Sequence, residues 1–296
     1  MSEPQPPTFD QLSVFLAIVE SGSFAGAARK LGRAASVVSY SIANLEDRLG
    51  VRLFVREGTR RPVLTEEGRA ILADSRIVQI GLDGLLAKAR GLTQGLEAEV
   101  SLVVDVMWPA CRLVAALDDF RARFPTVALR LAVEALGAVT QIVQEGRAAF
   151  GVSGPLEPES DLLIRAPAGA VRLVPVAAPS HPLAMMAAPV TPAAVRAHVQ
   201  LVLTDRSPLT AGRDFGVLGV SSWRLADLGA KHALLLAGLG WGSMPEDMIA
   251  KDLKEGRLAR LRIAAWDETL YHFHTVHRRD APPGPAARWL MQRLAG

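Results

Sequence analysis

The chain has 296 residues, which is more than one small module requires, so we expect two or three domains. Hydrophobic residues make up 50% and charged residues 21%, with a formal net charge of +3, which excludes a wholly disordered chain. A single cysteine excludes an intrachain disulfide and a cysteine-rich metal cluster, and it fits a reducing compartment.

The first eight residues are polar and rich in proline, without the basic and apolar regions of a secretory signal. The apolar stretches that follow are strand-sized, whereas a bilayer-spanning helix needs about 20 apolar residues. We therefore expect a soluble, cytoplasmic protein without a membrane partner.

Basic residues are concentrated between Arg29 and Arg61, where eight of them stand against three acidic residues. A basic block in a nearly neutral protein is typical of a module that binds a polyanion such as DNA. A solvated surface is an equally good interpretation of the charge taken alone.

Helix signals follow one another at the start of the chain. A capping box at Thr8 begins the first helix, which ends at Ser21-Gly22, and Ser23 caps a second one over Phe24–Leu31. After a tight turn at Gly32, helical spacing of apolar residues predicts a third helix from about Ala35 to Leu49. Two helices joined by a short turn that contains glycine form a helix-turn-helix.

The third helix has two faces, because its buried apolar stripe leaves a polar side outward. The outward residues are Ala35, Ser36, Ser39, Tyr40 and Ala43. In a helix-turn-helix the start of the second helix enters the major groove, where hydroxyl groups can bond to base edges or phosphates. We therefore predict DNA contacts from this face and from Arg33 in the preceding turn.

A basic turn follows between two predicted short strands, Val51–Val55 and Val63–Leu64. The arrangement is typical of a wing, and Arg60 and Arg61 at its tip would reach the DNA backbone or the minor groove.

These residues carry a family resemblance. The ordered matches are Ser23-Phe24-x-x-Ala27-Ala28-x-x-Leu31-Gly32, then Val38-Ser39-x-x-Ile42-x-x-Leu45-Glu46-x-x-Leu49-Gly50-Val51-x-Leu53-Phe54-x-Arg56, then Leu64-Thr65-x-x-Gly68. The pattern resembles the LysR-type transcriptional regulators. It implies a mixed α/β chain: an N-terminal winged helix-turn-helix, a long linker helix and a two-lobed, periplasmic-binding-protein-like α/β effector domain. Double-stranded promoter DNA and a small-molecule effector are the implied partners.

Two positions depart from the family pattern. Ala34 stands where a capping Ser or Thr is usual, and Ala35 and Tyr40 stand where Gln and a basic residue are common. We expect operator specificity to rest on Ser36, Ser39, Tyr40, the wing and DNA shape. The alternative for Ser39 is a hydroxyl that bonds its own helix backbone.

A long helix is predicted from Glu66 to Gly91 after Thr65. Two sets of residues spaced seven apart form a seam along it: Ile71, Val78 and Leu85, with Ser75, Leu82 and Ala89. Such a seam suits a coiled coil between two protomers, and the alternative is a helix packed on its own domain. The resemblance implies a homodimer, assembled as a dimer of dimers into a homotetramer.

Strands alternate with helices in the second half, which predicts a mainly parallel sheet. The predicted limits are 1–65 for the DNA-binding domain, 66–92 for the linker helix, 93–98 for a hinge and 99–296 for the effector domain. Lobe I would comprise 99–167 and 270–296, and lobe II 168–269. Gly240–Pro245 is interpreted as a loop.

Effectors in open α/β folds bind where strands end, here between the lobes. The residues predicted to line that cleft are Asp105, Met107, Trp108, Ser153, Thr204, Ser207, Trp241 and Ser243. A carboxylate and an indole at the mouth favour an amine or an aromatic effector over a simple dicarboxylate. The alternative for Asp105 is a carboxylate that points at solvent.

No catalytic set, metal site or cofactor is predicted. His272, His274 and His277 lie close together, but no nearby cysteine or acidic loop completes a metal site. The alternative functions are a cytoplasmic small-molecule-binding or enzymatic α/β protein with an incidental helix-turn-helix, and a nonspecific architectural protein.

Overall fold

The computed structural model describes residues 6–55, 62–155, 161–186, 189–205, 207–210, 215–264 and 269–296. The chain divides into two compact units, Met1–Arg90 and Gly91–Gly296. Among the described residues, none of the helices combines the length and the apolar character that crossing a bilayer requires.

The first unit is helical. Its helices are α1 (Phe9–Ser21), α2 (Phe24–Leu31), α3 (Ala35–Leu49) and most of α4 (Glu66–Thr93), whose last three residues belong to the second unit. The Thr8 hydroxyl accepts from the Gln11 amide at the start of α1, and the Ser23 hydroxyl accepts from the Gly26 amide in α2. No side chain caps α3, because the N-cap residue Ala34 has no side-chain oxygen that could accept a hydrogen bond. The predicted limits of α1, α2 and α3 are confirmed.

The two predicted wing strands are wrong as strands: Phe54 and Leu64 form an isolated antiparallel bridge. The buried carboxylate of Glu46 accepts hydrogen bonds from the amides of Leu53 (2.7 Å) and Phe54 (3.3 Å). In the register of this bridge the Leu53 amide would bond to the Thr65 carbonyl in a longer ladder, but Glu46 accepts it instead. The turn with Arg60 and Arg61 lies outside the described residues.

A mixed sheet forms the centre of the second unit. Its strands are β1 (Glu99–Asp105), β2 (Ala128–Glu134), β3 (Phe150–Ser153), β4 (Leu163–Ala177), β5 (Gln200–Leu203), β6 (Ser222–Leu225), β7 (Trp241–Pro245), β8 (Ala259–Arg260) and β9 (Thr269–Arg278). They lie in the order β2-β1-β3-β9-β4-β7-β5-β6, with β8 beside β4.

Helices cover this sheet. They are α5 (Ala110–Arg123), α6 (Gly137–Gln144), α7 (Pro182–Met185), α8 (Pro192–Arg196), α9 (Leu228–Leu236), α10 (Glu246–Lys254) and α11 (Pro285–Ala295), with a 3-10 turn at Pro208–Thr210. Apolar residues between the helices and the sheet form the main core.

The unit has two lobes, joined through the antiparallel pair β4–β9. The parallel strands β2, β1 and β3 lie on one side of this pair, and β7, β5 and β6 lie on the other. The register of β4 against β9 shifts between Pro167 and Gly169. Gly169 has a φ of 104°, which a residue with a side chain rarely adopts, so the bulge depends on glycine here.

The interpretation of Gly240–Pro245 as a loop is wrong, because β7 occupies Trp241–Pro245 and pairs with β4. Glycine usually weakens a strand, but here it lets a neighbouring backbone approach closely. A Cβ on Gly242 would lie 2.6 Å from the carbonyl oxygen of Leu201 in β5. Strand β6 and the first half of β4 are further elements that the sequence did not predict.

We predict that Glu46→Ala destabilises the first unit by about 1–3 kcal/mol, because two amides lose a buried acceptor. Urea denaturation followed by far-UV circular dichroism measures the loss. Tryptophan fluorescence reports on the second unit, which holds all five tryptophans. The urea midpoint followed by this fluorescence should be the same in Glu46→Ala and the wild type.

The exposed neighbour Asp47 supplies the matched control, Asp47→Ala. Equal unfolding midpoints for the two variants would contradict the structural role of Glu46.

Candidate functional site

The outward face of α3 is exposed, as its sequence pattern predicts. Ala35, Ser36 and Ser39 are exposed, 69% of Tyr40 is accessible, and Ala43, also predicted to face outward, is half-buried. On the opposite side Val38 and Leu45 are fully buried in the core of the unit. The helix is therefore held on its apolar side while its hydroxyl groups face outward.

Several cations of the basic block are paired with acidic side chains. Arg33 makes two hydrogen bonds to Asp10, at 2.8 and 2.6 Å, and its guanidinium lowers the pKa of that carboxyl group. Lys30 pairs with Glu20, and Arg52 contacts Glu46. A DNA phosphate at Arg33 would have to compete with the Asp10 carboxylate. Counting charges along the sequence does not reveal this ion pair.

A cavity of about 490 Å³ lies between the two lobes of the second unit. Met107, Leu136 and Tyr271 line one side, and Leu201 and Leu203 of β5 line the other. The wall is mainly apolar, and the volume is in the range of small-molecule sites.

Two polar side chains of this wall hydrogen-bond within the protein. The Gln200 amide nitrogen donates to the Gly216 carbonyl at 2.7 Å, and its oxygen accepts from the amides of Leu218 and Gly219. The Tyr271 hydroxyl donates to Asp105 at 2.8 Å. Gln200 therefore fixes the segment beside the cavity, and Tyr271 joins the wall to a buried carboxylate.

Asp105 ends β1 and is 1% exposed. Besides the Tyr271 hydroxyl, its carboxylate accepts the amide of Met107 at 2.9 Å and the amide of Leu136 at 3.2 Å. Burial raises the pKa of Asp105 to about 6, although these three hydrogen bonds act in the opposite direction. The expectation of a carboxylate at the cavity mouth, and the alternative of one facing solvent, are both wrong.

Leu136 stands at the start of α6 with a φ of 50°, in the left-handed region. A leucine there is strained by about 1–3 kcal/mol. Its amide is the one that Asp105 accepts, so the carboxylate holds the strained residue against the cavity.

Met107 and Ser243 line the cavity, as predicted from their positions. Thr204 is half-buried, and its hydroxyl donates to the Asp205 carbonyl instead. Ser207 lines a separate hollow of about 420 Å³ together with Asp205 and Asp227. The residues predicted for one cleft thus reach two different hollows.

Three other residues predicted for the cleft are buried away from the cavity. Trp108 is 5% exposed and packs edge-on against Phe273, with ring centroids 4.9 Å apart. Ser153 is 1% exposed and accepts from Arg165. Trp241 is fully buried in an apolar cluster behind β7. All three lie on or beside strands, where successive side chains point to opposite faces of the sheet, so the face decides whether a side chain reaches the cavity.

The sequence interpretation missed Gln200, Lys231 and Tyr271 as cavity residues. A signal existed for Lys231, because Leu228, Lys231 and Leu235 fall on one buried helical stripe of α9. A lysine on such a stripe departs from the usual exposure of this residue.

The comparisons with known proteins agree with this geometry. Residues 9–69 match the model of the bacterial regulatory helix-turn-helix protein, lysR family, and residues 93–296 match the LysR substrate binding domain. The regulator YhaJ of Escherichia coli is 29% identical over 99% of this chain and 98% of its own length. The activator AllS of Salmonella typhimurium is 30% identical over 81% of this chain and 78% of its own length.

Full-length LysG from Corynebacterium glutamicum, solved with its effector Arg, is 20% identical and has a TM-score of 0.51 over 97% of each chain. At that identity the likeness shows the fold alone. The two family models together cover most of the sequence, and the chain belongs to the LysR family. It is a ligand-responsive transcriptional regulator that binds DNA through its helix-turn-helix.

We predict that the pKa of Asp105 makes the second unit less stable as pH rises. The folded-state pKa is raised from 3.8 to about 6, so between these values the folded state binds more protons than the unfolded state. The free energy of unfolding should fall from about pH 4 to about pH 6 and stay lower, by up to about 3 kcal/mol. Asp105→Asn should lack this dependence.

Urea denaturation followed by tryptophan fluorescence at several pH values measures this difference. The exposed Asp161 supplies the control, Asp161→Asn. A constant difference in stability between the wild type and Asp105→Asn across this pH range would contradict the prediction.

Proposed function

We propose that the outward face of α3 reads operator DNA and that an effector in the cavity between the lobes controls it. The observation that carries the DNA-reading role is the exposure of Ser36, Ser39 and Tyr40 opposite a fully buried apolar stripe. A duplex can reach these hydroxyl groups without any rearrangement of the helical core.

The cavity supports the regulatory half of the proposal. Its lining comes from both lobes, so a ligand there contacts both at once and favours a particular closure. A change in closure would alter the DNA-binding geometry of the assembly. The proposed division is 1–65, 66–92, 93–98 and 99–296, with the chain crossing between lobes near Pro167, where the β4–β9 register shifts.

We propose regulation without catalysis, in the bacterial cytoplasm where the DNA is. The support is the class of the relatives, which are transcriptional regulators. The polar side chains of Gln200 and Tyr271 bond to the protein itself, an arrangement suited to holding a shape.

A gel-shift or anisotropy assay against the upstream region of its own gene, without ligand, tests the DNA-reading face. Ser39→Ala and Tyr40→Ala should reduce discrimination between operator and random DNA, by about 1–3 kcal/mol for each lost base contact. Arg60→Ala should weaken binding to all DNA alike and flatten the salt dependence.

Tyr40→Phe is the matched comparison. It removes the hydroxyl and keeps the ring, so it separates a hydrogen bond made by the hydroxyl from a contact made by the ring. Unchanged operator preference in Tyr40→Ala would refute the choice of reading residues, and equal binding to all DNA by the wild type would indicate an architectural protein.

We propose a homodimer through α4, assembled further as a dimer of dimers. Ile77 and Ile80 are 67% and 70% exposed, and Leu85 is 64% exposed, which leaves apolar side chains for a partner helix. The first part of the predicted seam has another role, because Ile71 packs on the core of its own unit and Ser75 is buried.

Ile77→Glu combined with Ile80→Glu should therefore lower the assembly mass and weaken operator binding, because two charges would enter the proposed interface. Light scattering after size exclusion measures the mass, and Arg90→Glu, at an exposed position on another face of the same helix, is the control. An unchanged mass in the double variant would count against the α4 interface.

A further inference from the structure

Lys231 is a buried cation in the wall of the cavity. It lies in the first turns of α9, is 2% exposed, and lines the cavity beside Ser243. Among the described residues, its ammonium nitrogen donates one hydrogen bond, to the Ser243 carbonyl at 2.8 Å. An ammonium has three donors, so this bond leaves two of them for other partners.

The surroundings of Lys231 disfavour its charge. Within the described parts of the chain, no carboxylate lies within ion-pair distance of its nitrogen. Burial lowers its pKa to about 8, and the positive end of the α9 dipole is close by. A buried charge of this kind is costly unless a partner of opposite sign joins it.

The side chain nevertheless has space reserved for it. A Cβ on Gly242 of β7 would lie 3.2 Å from the Cε of Lys231, so the glycine leaves room for the lysine stem as well as for β5. The stem is held between α9 and β7, and the charged end bonds to the carbonyl of Ser243, which lines the cavity together with Lys231.

The remaining lining fits one anionic group on an apolar body. Leucines from both lobes, together with Met107 and Phe215, supply apolar lining, and Gln200 and Tyr271 bond to the protein itself. A second negative charge on the ligand would find no second cation among the described lining residues.

We propose that Lys231 is the anion-recognising residue of this cavity, and that the effector is an apolar monoanion such as a carboxylate on a hydrocarbon or aromatic body. The proposal rests on the proposed function, which places the effector in the cavity. It replaces the amine expected from Asp105, whose carboxylate is buried and hydrogen-bonded.

Isothermal titration of the full chain with matched probes tests the proposal: benzoate and octanoate, their neutral amides, benzylamine, and phthalate as a dicarboxylate. Benzoate or octanoate should bind at least about tenfold more tightly than its amide, and more tightly than phthalate or benzylamine. Lys231→Met should remove this preference while leaving the binding of the amides unchanged.

The matched control is Lys254→Met, which changes an exposed lysine of α10 and should keep the preference. Lys231→Arg keeps the charge and covers the case in which Lys231→Met fails to fold. It should retain the preference for anions.

Proton uptake separates ligand recognition from a merely structural role of Lys231. Near pH 8.5 the wild type should take up protons on binding the anion, because the ion pair favours the charged lysine, and Lys231→Arg should not. Of the described titratable groups at this wall, Asp105 and Tyr271 both remain on one side of their titration at this pH, since their pKa values are about 6 and well above 10.0.

Equal binding of acids, amides and amines would overturn the role of Lys231 while leaving the cavity as a ligand site. A preference for benzoate that survives Lys231→Met would do the same. Absence of binding by every probe would count against both the cavity and the proposal. The DNA assay above uses no ligand, so its result stays independent of these outcomes.

Discussion

A buried carboxylate sets the geometry of the effector domain. The three hydrogen bonds of Asp105 bring together the end of β1, the strained start of α6 and a tyrosine of β9. Each of these segments contributes a residue to the wall of the cavity. The shape of the site therefore follows from the need to satisfy one charged group that the fold has removed from water.

Local signals account for what the sequence predicts well. The caps at Thr8 and Ser23, with the apolar periodicity behind them, predict α1, α2 and α3 with the limits that the structure has. The family resemblance rests on the same segment. The alternation of strands and helices predicts the α/β class of the second unit, because that pattern is also local.

The errors concern contacts between distant residues. Gly242 looks like a loop residue until Leu201 is known to pass beside it, and Asp105 looks like a ligand group until the amide of Leu136 is known to reach it. The position of Trp241 along the chain predicts a place in the cleft, but a one-residue change along a strand reverses the face of a side chain, and Trp241 lies in a buried apolar cluster. Tertiary packing decides which distant residues come into contact and which face of a strand is buried. A single sequence does not state these contacts explicitly.

The pair β4–β9 also limits how the lobes can move. Both strands that pass between the lobes are hydrogen-bonded to each other on either side of the bulge at Gly169, so they form a continuous two-stranded ribbon. Such a ribbon accommodates torsion more readily than stretching or shear, because the twist between paired strands varies widely and stretching or shear would break their hydrogen bonds. Effector binding would therefore rotate one lobe relative to the other through a small angle, while the hydrogen bonds between β4 and β9 are kept.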